Sequence, residues 1–154
     1  MKTEMVRLLS CLSLAGLLLV TGCQSNKPGS SSHAAVEIKG HSATEIQTTT
    51  VVVFAENGFS LRTNTPTLMV FDRPATSAEK VKYGDWLNDG MQMQVKVRLQ
   101  SMPEMTYLVR ADAYSVQDPN DALFREEHRL MLFSAKFYQK LLDDVAYRLN
   151  FSPP

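Results

Sequence analysis

Residues 91–100 read Met-Gln-Met-Gln-Val-Lys-Val-Arg-Leu-Gln, with every odd position apolar and every even position polar. A period of two belongs to a β-strand with one face on a core, so Met91, Met93, Val95, Val97 and Leu99 point inward. Gln92, Gln94, Lys96, Arg98 and Gln100 then point outward. After a break at 101–104, residues 106–116 continue the alternation less cleanly. Tyr107, Val109, Ala111 and Ala113 suit the inner side, leaving Leu108, Arg110, Asp112, Tyr114 and Val116 outside. The two stretches form an antiparallel hairpin, in which an even index sum keeps odd numbers on one face of both strands. A register summing to 206 sets Lys96 opposite Arg110, and one summing to 208 sets it opposite Asp112; both keep the same faces.

Working back from the hairpin, residues 59–63 and 67–72 read as two short strands around the turn Asn64-Thr65-Pro66. Residues 74–90 lack clear periodicity and read as a long loop with one helical turn near 77–81. Ahead of the strands, Ser42-Ala-Thr-Glu45 has the form of a capping box, in which each side chain satisfies an open backbone donor at a helix start. Ile46, Thr50, Val53 and Phe54 share a helical stripe, and Asn57-Gly58 supplies a left-handed stop. Residues 48–53 are all β-branched and favour a strand. Because both ends are marked, the expectation is a helix over 42–57.

Beyond the hairpin, Asp118-Pro-Asn120 breaks the chain. Leu130, Phe133, Phe137, Leu141, Val145 and Leu149 recur at helical spacing, which predicts a last helix over 132–150. Residues 122–131 suit either its first turns or an extended approach to it. The order is helix, four strands, helix, so the expected fold is a two-layer α+β domain over residues 36–154. Its four-stranded antiparallel sheet would carry both helices on one face.

The N-terminal part differs in kind. Lys2 and Arg7 precede a thirteen-residue apolar run, 8–20, which is shorter than the roughly 20 residues that a membrane-spanning helix needs. Ordinary signal cleavage wants small residues in alternation, whereas Val20-Thr21-Gly22-Cys23 places a branched residue, a small residue and Gly before a Cys. This stretch resembles the lipobox of bacterial lipoprotein precursors. The resemblance covers residues 1–23 and implies cleavage between Gly22 and Cys23, with Cys23 lipidated as the first mature residue. It also implies a cell-envelope location, and Gln24 in place of an Asp favours the periplasmic face of the outer membrane over the inner membrane. Residues 23–35 would then be the lipidated Cys and a flexible Ser/Gly-rich tether. Fold-level outline alone also makes the domain similar to some small envelope lipoproteins that serve outer-membrane assembly.

Cleavage takes Lys2, Arg7 and Glu4 from the 16 basic and 16 acidic residues, leaving 14 and 15, a charge near −1. That balance argues against nucleic-acid binding, which needs clustered excess cations. Cys11 leaves with the signal, so the domain has neither a disulfide nor a thiol nucleophile. No metal or cofactor motif stands out. His33 and His41 lie outside the elements, and Glu126-Glu127-His128 lacks further ligands nearby. Asp143 and Asp144 diverge on a helix, and there is neither a Gly-x-Ser-x-Gly nor a Gly-rich phosphate loop.

Two places suit binding. The outer hairpin face offers Lys96, Arg98, Arg110 and Tyr114 as a partner surface. The long loop offers Tyr83 and Trp86 as anchors. The expected function is a membrane-anchored, non-catalytic binding or assembly module with an envelope protein as partner. The alternative is a carrier for a small apolar ligand or lipid, held between sheet and helices by Met91, Met93, Phe54 and Phe137. An envelope hydrolase stands behind both.

Overall fold

The computed structural model describes residues 34–83, 90–130 and 135–151. Their elements run β1 (Ala34–Lys39), α1 (Ala43–Glu56), β2 (Ser60–Asn64), β3 (Leu68–Pro74), α2 (Ser77–Tyr83), β4 (Gln92–Met102), β5 (Thr106–Gln117), β6 (Glu126–Arg129) and α3 (Ala135–Phe151). The architecture is α+β, with a six-stranded sheet in the order β1-β5-β4-β3-β2 and β6 alongside β5. Every described strand pair is antiparallel. The four-stranded expectation thus falls short by β1 and β6, and the first described element is a strand rather than a helix.

The central hairpin takes the register summing to 208, with Lys96 opposite Asp112 and Val95 opposite Ala113. Its odd-numbered face is the core: Met91, Met93, Val95, Val97, Leu99, Val109, Ala111 and Ala113 are buried. The same parity extends sideways. Met69 and Phe71 of β3 and Ala34, Val36 and Ile38 of β1 join that face, as the β3–β4 and β1–β5 registers require. At the hairpin turn, Glu104 (φ 60°) and Met105 (φ 50°) are both left-handed, between Pro103 and Thr106, whose N–H donates to the Pro103 carbonyl at 3.3 Å. Two successive positive φ angles match the right-handed twist of the strands they join.

Helix α1 begins as its sequence predicts. The Ser42 hydroxyl accepts from the Glu45 N–H at 3.2 Å, and the Ser42 N–H donates to the Glu45 carboxylate at 2.7 Å. Gly58 (φ +81°) follows the C-cap Asn57. Ile46, Thr50, Val53 and Phe54 are buried, and Thr50 donates to the Ile46 carbonyl at 2.6 Å, so its hydroxyl enters the core satisfied. Phe54 stacks on Phe71 at 4.5 Å, joining helix to sheet. Local β-propensity gives way here to caps and tertiary packing.

Helix α3 lies on the same face and buries Tyr138, Leu141, Leu142 and Val145. Its inner stripe is rotated from the expected one. Phe137 is 42% exposed, and Tyr138 and Leu142 take the buried positions. Residues 131–134, including Phe133, lie outside the described residues, and the described helix starts at Ala135. Helix α2 supplies seven residues where a loop with one helical turn is expected.

The two missed strands flank β5 on one side. β1 pairs with residues 106–111 of β5 and β6 with residues 114–117. Of the stretch read as tether, 23–35, Ala34 and Ala35 already belong to β1 and Ala34 is buried, while 23–33 lie outside the described residues. Of the two readings of residues 122–131, the extended one describes 126–129. The outward edge of β1 meets α3: the Gln139 side-chain amide accepts from the Ala35 N–H at 3.1 Å and donates to the Ala35 carbonyl at 3.0 Å. One side chain satisfies both backbone groups of an edge residue, as a neighbouring strand would.

Candidate functional site

The helices α1 and α3 bury the odd face, which leaves the even face of the sheet as the side opposite them. The β3–β4 and β5–β6 registers carry Asp72 of β3 and Glu127 and Arg129 of β6 onto that face beside Lys96, Arg98, Arg110, Asp112 and Tyr114. A ladder of cross-strand charges results. Lys96 donates to Glu127 at 2.6 Å and lies over the Tyr114 ring at 4.6 Å. Glu127 also accepts from Arg125 at 2.7 Å. Lys96 first, with Arg125 assisting against the cost of burial, holds the Glu127 carboxyl below its usual range.

Asp112 is 7% exposed and uses both oxygens, one to Arg98 at 2.7 Å and the other to Arg129 at 2.5 Å. Farther along the face, Arg62, which sits at the register shift of β2, pairs with Asp72. A groove of about 430 Å³ runs between Arg62, Asp72, Gln94, Lys96, Arg125 and Glu127. The turn after β5 forms its far wall. Asp121 accepts from the N–H groups of Leu123 and Phe124 at 2.8 and 3.2 Å, which fixes that turn.

The four residues expected to present a partner surface are thus together, and the structure adds what the alternation did not show. The face is not uniformly open, since Leu108 is 2% and Val116 1% exposed although both stand outside the helix-covered core. Lys96 is half-buried in its ion pair, whereas the Arg98 side chain is 51% exposed. Arg110 takes part in none of the ion pairs described, and its Nε is buried without a hydrogen-bond partner. Arg62, Arg125, Asp72, Glu127 and Arg129 were missed because their membership depends on strand order and on β6. The signal for Asp112 was present in the favourable 208 register.

The remaining candidates lie elsewhere. Tyr83 closes α2 and packs against the core, with Lys82 over its ring at 5.3 Å; Trp86, His33, Gly22 and Cys23 lie outside the described residues. Met91, Met93 and Phe54 are filled into the packed core, while Phe137 lines a separate cleft of about 350 Å³ with Arg73, Glu79, Leu130 and Tyr138. At that cleft Arg73 and Glu79 form a two-pronged ion pair at 2.8 and 2.6 Å. Burial raises the Glu79 carboxyl, but Arg73 and the Thr76 backbone outweigh it and leave the group below its usual range. Burial raises the Tyr138 hydroxyl and keeps it protonated. Glu126 and His128 share a face of β6 at 3.2 Å, both well exposed. Among the described residues, no three His, Cys, Asp or Glu gather to hold a metal, and no helix is long and apolar enough to cross a membrane.

Comparison with known proteins finds no matching family model, no matching curated protein and no matching solved structure.

Proposed function

We propose that this chain is a membrane-anchored bacterial envelope lipoprotein whose α+β domain is a non-catalytic module for binding or assembly. The reading of Cys23 as a lipid site rests on the lipobox-like Val20-Thr21-Gly22-Cys23 behind an apolar run. The observation that carries the binding reading is the even face of the sheet. It lies opposite both large helices and bears a cross-strand network of Lys96, Arg98, Asp112, Glu127 and Arg129 with a groove at its edge. A charged, grooved sheet face of this kind offers orientation and specificity to a protein partner. The partner would be an envelope protein, reached from the membrane through the segment before β1.

The test has two arms. Metabolic labelling with a palmitate analogue should tag the wild-type chain, and Cys23→Ser should lose the tag and accumulate as the larger, uncleaved precursor. Crosslinking in cells followed by capture should recover one reproducible partner, and the double reversal Arg98→Glu, Arg110→Glu should lose it. A Cys23→Ser chain that still carries label sinks the anchor, and capture indifferent to the double reversal sinks the binding face.

A further inference from the structure

Arg98 and Arg110 stand directly opposite one another on β4 and β5. Like charges on paired residues have Cβ atoms about 5 Å apart and destabilise a sheet. Asp112, the nearest carboxylate on the same strand face, has already committed one oxygen to Arg98 and the other to Arg129. On the other side, β1 places Ala35 opposite Arg110, a side chain with no charge to offer. Glu37, on the diagonal, is exposed and makes no ion pair with Arg110. The result is a half-buried residue whose Nε is withdrawn from solvent and unpartnered. A buried donor without a partner carries its full desolvation cost, so such a group in a folded protein calls for an explanation.

We infer that the Arg98–Arg110 pair receives a carboxylate from an acidic, extended segment of a partner protein, laid across the even face toward the groove beside Lys96. Two guanidiniums on adjacent strands match the two oxygens of a carboxylate, and Arg is the side chain suited to planar, two-pronged recognition. The face also disfavours a continuous anionic surface. Asp72, Asp112 and Glu127 are interspersed among its cations, and the chain after the proposed cleavage, with 14 basic and 15 acidic residues, has a formal charge near −1, which gives no long-range pull toward an acidic bilayer. A peptide whose carboxylates are spaced along an extended backbone can meet the cations and pass between the acids. This assignment rests on the even face being the partner surface and names the chemistry it recognises.

The experiment uses the full chain in non-ionic detergent and a fluorescent octapeptide alternating Glu and Thr, with the Gln-Thr octapeptide as control. Anisotropy should show binding of the Glu peptide that the Gln peptide lacks, and Arg110→Met should weaken it roughly tenfold or more. Arg110→Lys, which keeps charge but not the fork, should fall between. In the free protein, Arg110→Met should raise the melting temperature by about 2–4 °C, because it removes a cation that has no counter-ion among the described residues. Glu37→Gln should leave melting unchanged. Equal peptide binding by wild type and Arg110→Met overturns the inference. So does a lowered melting temperature in either Arg110→Met or Glu37→Gln, since an internal carboxylate would then be the partner. Binding to inorganic phosphate or phosphatidylglycerol vesicles without binding to the Glu peptide also overturns it. If the peptide fails while crosslinked capture still depends on Arg98 and Arg110, the binding face stands and only its carboxylate chemistry falls.

Discussion

At the scale of single residues, the Gln139 amide replaces a whole missing strand at one point of the β1 edge. Truncation to Gln139→Ala leaves the Ala35 N–H and carbonyl half-buried without those partners, which costs about 1–3 kcal/mol. Urea unfolding should register that loss as a lower midpoint with an unchanged slope. Gln139→Glu, able to accept from the N–H but not to donate to the carbonyl, should recover only part of it. A midpoint equal to wild type for Gln139→Ala would show that water replaces the amide there. No sequence pattern announced this contact: an exposed-looking Gln on a helix acquires its role from a strand 104 positions earlier.

At the scale of elements, the hairpin turn carries a cost that the sequence can remove. Glu104 and Met105 hold positive φ angles that glycine and asparagine adopt more readily. The Met105 side chain is largely exposed and has little packing to lose. Met105→Gly should therefore stabilise the domain by roughly 0.5–1 kcal/mol, read as a raised urea midpoint. A lowered midpoint would mean that Met105 packs against the turn in solution.

The same scale shows what was legible beforehand. Strand β4 was readable because one face is dry and the other wet, and α1 because both of its ends carry capping chemistry that outweighs six β-branched residues. β6, Glu-Glu-His-Arg, buries nothing, and its place comes from β5 rather than from its own pattern. β1 does alternate, with Ala34, Val36 and Ile38 inward, but its first residues continue the small-residue composition before them. The partner face was half legible for the same reason. Its β4 and β5 residues follow from period two, whereas Arg62, Asp72, Glu127 and Arg129 arrive through strand order.

At the scale of the molecule, the domain has one two-layer core and ties its periphery with carboxylates. Glu56 joins α1 to Arg148 of α3, Glu79 joins α2 to Arg73 of β3, and Glu127 joins β6 to Lys96 of β4. Each of these carboxyls, and Glu45 at the α1 cap, titrates below its usual value of 4.5 in the fold. Groups with depressed folded-state values contribute stability that is present above about pH 4.5 and is lost as the pH falls through the folded values. Urea midpoints should therefore be flat from pH 7 to about 5 and decline below that. Glu79→Gln should lower the midpoint at pH 7 and make the acid decline shallower. An acid limb in Glu79→Gln as steep as in wild type would assign the decline to other groups.

The clamp of Gln139 on Ala35 has a further consequence when the protein is considered under force. Tension applied to β1 at Ala34 acts first on Ala35, which lies between Arg110 of β5 on one side and the Gln139 amide on the other. The pull is shared at once between the sheet and α3, so β1 cannot peel from β5 unless α3 releases it. The two ends of the described chain thus work as a single mechanical latch.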